Sequence, residues 1–156
     1  PAGHLVPSPP TGDLYGTLLF RGNSSIVTSS VVIRRDCLVK AGGFCEDRGI
    51  VSAEDYELWL RLAREGIRFL MLPRVLGEYT VHREGFSRNI RRQADAEAEV
   101  VAREFRRIPD ASLAVALRKR QRMALLRIRT ARRFQSAGLY REAVFALARS
   151  AADLIR

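Results

Sequence analysis

Apolar and polar positions change their period several times along the chain. Residues 13–21 (DLYGTLLFR) set apolar side chains at helical spacing behind an aspartate, so a short helix capped by Asp13 and ended by Gly22 is expected. Residues 25–33 (SIVTSSVVI) are rich in β-branched side chains and predict a strand. Asp36 opens a short helix, DCLVKA, which Gly42 and Gly43 stop, and Phe44 follows as an apolar plug. After a loop at 45–51, Ser52 is placed to cap a helix over 53–65 whose Leu58, Trp59, Leu62 and Ala63 share a buried face. Gly66 stops it. IRFLML at 67–72 predicts a strand cut short by Pro73, and VLGEYTVH at 75–82 a further strand or extended run. From residue 88 the period is helical, with helices expected over 88–106, 111–136 and 140–154 and breaks at Pro109 and Gly138. The opening twelve residues hold Pro1, Pro7, Pro9 and Pro10 and read as extended or looped.

This pattern predicts an α/β portion over residues 1–86 and a helical extension over 87–156. Few strands make a poor free-standing sheet. The first portion therefore reads as part of a larger sheet whose other strands would precede Pro1.

Composition narrows the class. A chain of 156 residues suits one ordinary domain or a fragment of a larger one, and 47% apolar with 28% charged residues is a globular balance. No apolar run approaches the ~18 residues that cross a bilayer, and the residues from Pro1 onward show no basic-then-apolar leader pattern. Cys37 and Cys45 make neither a disulfide framework nor a zinc pattern, which points to reduced thiols and a cytoplasmic location. Charge is unevenly placed: residues 1–84 hold 10 basic and 10 acidic side chains, residues 85–156 hold 17 and 7. In RKRQRMALLRIRTARRF, residues 118–134, arginines alternate with Met123, Leu126, Ile128 and Phe134. Charge patterning ranks a packed helix with a solvated basic face first, contact with an anionic membrane second and nucleic-acid binding last.

Candidate chemistry gathers at AEDYELWLRL, residues 53–62. Acids such as Glu54 and Asp55 are favoured in a helix's first turn by the positive end of its dipole, which by itself accounts for both. The same placement also suits a general base, because the carboxylate is held at a loop edge beside a glycine-rich stretch that leaves room for a substrate. Arg61 is spaced to pair with Glu57 or Glu65 along the helix.

Three ordered blocks carry a resemblance: SSVVIRRDCLVKAGGF at 29–44, AEDYELWLRL at 53–62 and LGEYTVHREGFS at 76–87. Together, from Asn23 to Ser87, they resemble the second half of the catalytic domain of family 2 glycosyltransferases, which have the GT-A fold. The resemblance implies a partial, Rossmann-like GT-A portion followed by the helical extension. It implies inverting transfer of a hexosyl group from a nucleotide sugar to a polysaccharide or lipid-linked acceptor, as in cell-envelope polysaccharide synthesis. Asp55 falls where the family's catalytic base stands. Glu54 would orient the acceptor, Gly42, Gly43 and Phe44 would shape the wall between donor and acceptor, and His82 would approach the diphosphate or metal.

The chain departs from the family at Cys45, where Asp is common, and at Thr80, where Arg is common. It contains no Asp-x-Asp. The resemblance thus implies a divalent cation, Mg²⁺ or Mn²⁺, held mainly by a nucleotide-binding half outside these residues, without which the fragment would be inactive. The resemblance places no metal ligand among these residues. The expected partners are the nucleotide-sugar donor and the carbohydrate or lipid-linked acceptor, with peripheral contact at the inner face of an anionic membrane. The alternative from the charge pattern is a non-catalytic basic helical module that binds nucleic acid or anionic membrane.

Overall fold

The computed structural model describes residues 12–22, 26–72, 74 and 89–155. They form two compact units. One is drawn from Pro1–Cys45 and Glu54–Gly85, the other from Glu46–Ala53 and Phe86–Arg156.

The first unit contains α1 (Leu14–Arg21), α2 (Arg35–Lys40) and α3 (Glu54–Arg64). Asp13 caps α1 by accepting the Gly16 N–H at 2.9 Å, and Gly22, at φ 89°, ends it with its N–H on the Leu18 carbonyl. That carbonyl also accepts the Tyr56 hydroxyl at 2.8 Å, so a buried tyrosine of α3 adds a second donor at the end of α1. Leu18 and Leu19 of α1 and Tyr56, Leu58, Trp59, Leu60 and Leu62 of α3 make the core. The α3 face expected from Leu58, Trp59 and Leu62 is buried, and Tyr56 and Leu60 widen it. Ala63 is only half-buried.

The expected α/β architecture, a partial GT-A sheet followed by helices, is overturned. Every regular element among the described residues is helical, and none is a strand. Within 25–33, Thr28–Ser30 turn as a short 3-10 helix, with the Ser30 hydroxyl donating to the Val27 carbonyl at 2.8 Å. Residues 67–72 keep the period of two that suggested a strand: Ile67, Phe69 and Met71 are half-buried while Arg68, Leu70 and Leu72 are exposed. Phe69 meets Trp59 edge-on at 6.4 Å. Alternation alone does not make a strand, because a strand exists only when its N–H and C=O groups pair in a ladder. The run expected at 75–82 lies outside the described residues.

Smaller corrections follow from local bonding. Helix α2 begins at Arg35, and Asp36 pairs back to Arg34 at 2.8 Å. Helix α3 begins at Glu54, and Ser52 before it takes a positive φ of 90°. Phe44 is 43% exposed and does not plug the core.

The second unit holds a 3-10 turn at Arg48–Ile50, then α4 (Ile90–Arg107), α5 (Leu113–Ser136) and α6 (Tyr140–Ile155). Asn89 caps α4 and Ser112 caps α5, each through its side chain. Lys119 of α5 gathers the C-terminal end of α4: its ammonium donates to the Phe105 carbonyl at 3.0 Å, to the Ile108 carbonyl and to Asp110 at 2.7 Å. Gly138, at φ 75°, turns α5 into α6, and Ala131, Phe134, Ala143 and Ala146 pack between them with Ile90 against the cluster. Small side chains let the two helices approach closely, and the Ser150 hydroxyl reaches the Ala124 carbonyl at 3.2 Å. Arg122 is buried and donates to Glu97 at 3.0 Å.

Candidate active site

Asp55 sits in the first turn of α3, half-buried. It shares a helical face with Leu58, Trp59 and Leu62, at i+3, i+4 and i+7, so it heads the row of side chains that anchors α3 in the first unit. One carboxylate oxygen, Oδ1, accepts the Tyr56 backbone N–H at 2.6 Å. The other, Oδ2, accepts the Thr28 hydroxyl at 2.8 Å. Each carboxylate oxygen has two acceptor positions, so one on each remains after both bonds are made. Thr28 is exposed, which leaves that end of the carboxylate in reach of solvent.

The glycine turn is held by the other end of the same helix. Gly42 and Gly43 have φ of 82° and 72°, and the Gly43 N–H reaches back to the Leu38 carbonyl at 3.0 Å. A Cβ at Gly43 would meet nothing within 4 Å, so glycine is needed there for its backbone and not for space. Arg61 grips Glu57 through two nitrogens at 3.0 and 2.9 Å and donates to the Gly43 carbonyl at 2.7 Å. Of the two expected acid partners for Arg61, the structure selects Glu57. The Cα atoms of Asp55 and Arg61 lie ~9 Å apart along the helix axis. Helix α3 therefore links the carboxylate and the turn through its two ends.

The remaining candidates are less tightly organised. Glu54 is half-buried beside Asp55 at the helix start, and Phe44 projects beyond the turn. His82 lies outside the described residues. At the Arg-Arg pair, Arg34 binds Asp36 through two nitrogens at 3.1 and 2.8 Å, and its guanidinium holds the exposed Asp36 carboxyl below the usual carboxylate range. Among the described residues no three His, Cys, Asp or Glu side chains converge as a metal site would require, so these residues do not fit a divalent cation.

Three contributors were not foreseen: Thr28, the Arg61 bond to Gly43, and the Tyr56 bond to Leu18. Thr28 is one of four hydroxyl residues in the run 25–33, and no local signal singles it out. Nothing local marks the other two, because each bond spans at least 18 positions of sequence.

A protein-family model described as glycosyl transferase family group 2 matches residues 12–147. No curated protein matches the chain. No solved structure matches it.

Proposed function

From the premise that this chain belongs to glycosyl transferase family group 2, we propose that it takes part in inverting transfer of a hexosyl group from a nucleotide sugar, with Asp55 as general base. The observation that supports this is the fixed carboxylate: two donors from different segments hold Asp55, and both oxygens keep an acceptor position for a substrate hydroxyl. In this reading the acceptor hydroxyl gives its proton to Asp55 as its oxygen attacks the anomeric carbon. The bond to the nucleoside diphosphate breaks with its electron pair, and the configuration inverts. Glu54 orients the acceptor, while Gly42, Gly43 and Phe44 form a wall that Arg61 braces. His82 is assigned to the diphosphate side by resemblance alone. The family's use of divalent cations carries over as an expectation. The acceptor is read as a polysaccharide or lipid-linked sugar. Residues 1–86 are assigned to catalysis and 87–156 to a basic extension.

The test is glycosyl transfer by the full gene product with Asp55 replaced by Asn, which keeps size and most hydrogen bonding but cannot take the proton. Turnover should fall by ~10²–10⁴-fold while folding, followed by circular dichroism, is retained. Turnover equal to wild type would remove Asp55 from the chemistry.

A further inference from the structure

Helix α5 carries eight basic residues and no acid, and four of the apolar side chains interleaved with them do not face outward. Leu126 and Phe134 are buried, and Met123 and Ile128 are half-buried. Leu113, Leu117 and Leu125 of α5 are exposed, but exposed Gln121 interrupts the row they make. The continuous apolar face lies on α6. Tyr140, Val144, Leu147 and Leu154 are 66%, 67%, 48% and 51% exposed, and with exposed Ala151 they recur at spacings of four and three, one continuous stripe. Residues of this kind at this spacing are ordinarily covered.

Charge selects what covers them. The two acids of α6 are turned toward its neighbours: Asp153 accepts from Arg127 of α5, and Glu142 lines the groove that also contains Arg91 and Arg127. Arg141 and Arg149 are exposed, the latter 5.8 Å over the Phe145 ring, which is itself 61% exposed. On α5, Arg118, Arg129 and Arg132 are exposed. A helix with an apolar stripe, outward arginines and inward acids matches an anionic lipid surface: the stripe enters the acyl boundary while arginine stems snorkel to the phosphates. A second copy would bring together two surfaces of the same sign. Nucleic acid would engage the arginines and leave Val144, Leu147 and Leu154 without a role.

We infer that α6 is a docking helix for the surface of an anionic bilayer, with the arginines of α5 and α6 supplying the electrostatic attraction. The helix lies on the membrane and does not cross it, since no helix among the described residues is long and apolar enough to span one. This inference stands apart from the assignment of Asp55 and holds or fails without it.

The test is co-sedimentation of the 156-residue chain with phosphatidylcholine vesicles, with and without phosphatidylglycerol. Wild type should bind the phosphatidylglycerol vesicles, and added salt should weaken binding. The double substitution Val144→Ser/Leu147→Ser should weaken it by ~10-fold or more at unchanged circular dichroism, and Arg141→Glu/Arg149→Glu should do so as well. Undiminished binding by the serine variant would overturn the inference, since arginines alone would then suffice. So would absence of vesicle binding, a wild-type dimer that the serine variant converts to monomer, or tighter binding to duplex DNA than to vesicles.

Discussion

A carboxylate that serves as a base must be held without being used up. Asp55 meets this requirement because its two protein donors occupy one acceptor position on each oxygen. Thr28 is a positioning residue in the proposed mechanism. Thr28→Ala removes one hydrogen bond to the carboxylate, and turnover should fall by ~2–10-fold, the worth of one such bond. Thr28→Ser keeps the hydroxyl and should restore most of the rate. A fall as large as that of Asp55→Asn would mean that Thr28 does more than orient. The Glu54–Asp55 pair was legible in the sequence as a local pattern at the start of an amphipathic helix, while the base role proposed for Asp55 comes from the resemblance. Thr28 was not, since its partner lies 27 positions away and only folding brings them together.

At the scale of elements, helices were read with the greatest success. Asp13, Gly22 and Gly138 act where expected because caps and left-handed turns depend on adjacent residues. The turn after α2 shows the same logic and can be tested. If Gly43 is required for its positive φ, Gly43→Ala should lower stability by ~1–2 kcal/mol in urea unfolding, and Gly43→Asn by less. If a crowded wall were the reason, the larger asparagine would be worse than alanine. Strand expectations failed for a different reason. Residues 67–72 retain their alternation, but a ladder needs a second chain segment, which alternation cannot supply. Helix α5 was read first as a packed helix with a solvated basic face, and Leu126 and Phe134 are buried while Arg118, Arg129 and Arg132 are exposed.

At the scale of the whole molecule, charge is organised as well as abundant. In the second unit Arg103 bridges Glu99 at 2.8 Å and Asp47 at 2.8 Å, tying α4 to the turn at Arg48–Ile50. The Arg103 hydrogen bond holds the Glu99 carboxyl below its usual range. The Gly49 N–H, followed by Arg103, does the same for Asp47. Carboxyls depressed in the folded state stabilise it above their ordinary values and lose that contribution as pH falls through the depressed ones. Arg103→Met should therefore lower the melting temperature near neutral pH, and its difference from wild type should shrink below the ordinary carboxylate range. A gap that stays constant into strong acid would show that Arg103 acts through packing instead. The vesicle experiment belongs to this scale too, because it asks what the combined surface of two helices binds.

The sequence by itself determined the order and nature of the helices, the caps and turns that bound them, the charge imbalance between the two halves, and the three blocks that point to a glycosyltransferase. These depend on neighbours within a few positions, where backbone preference and side-chain period act directly. Tertiary structure alone decided that the strand-like segments remain unpaired among the described residues. It also joined Thr28 to Asp55 and Arg61 to Gly43, and it buried Leu126 and Phe134 of α5 while leaving Val144, Leu147 and Leu154 of α6 exposed. Each of these outcomes depends on which distant surface is available to pair or pack, and no local pattern of residues encodes that.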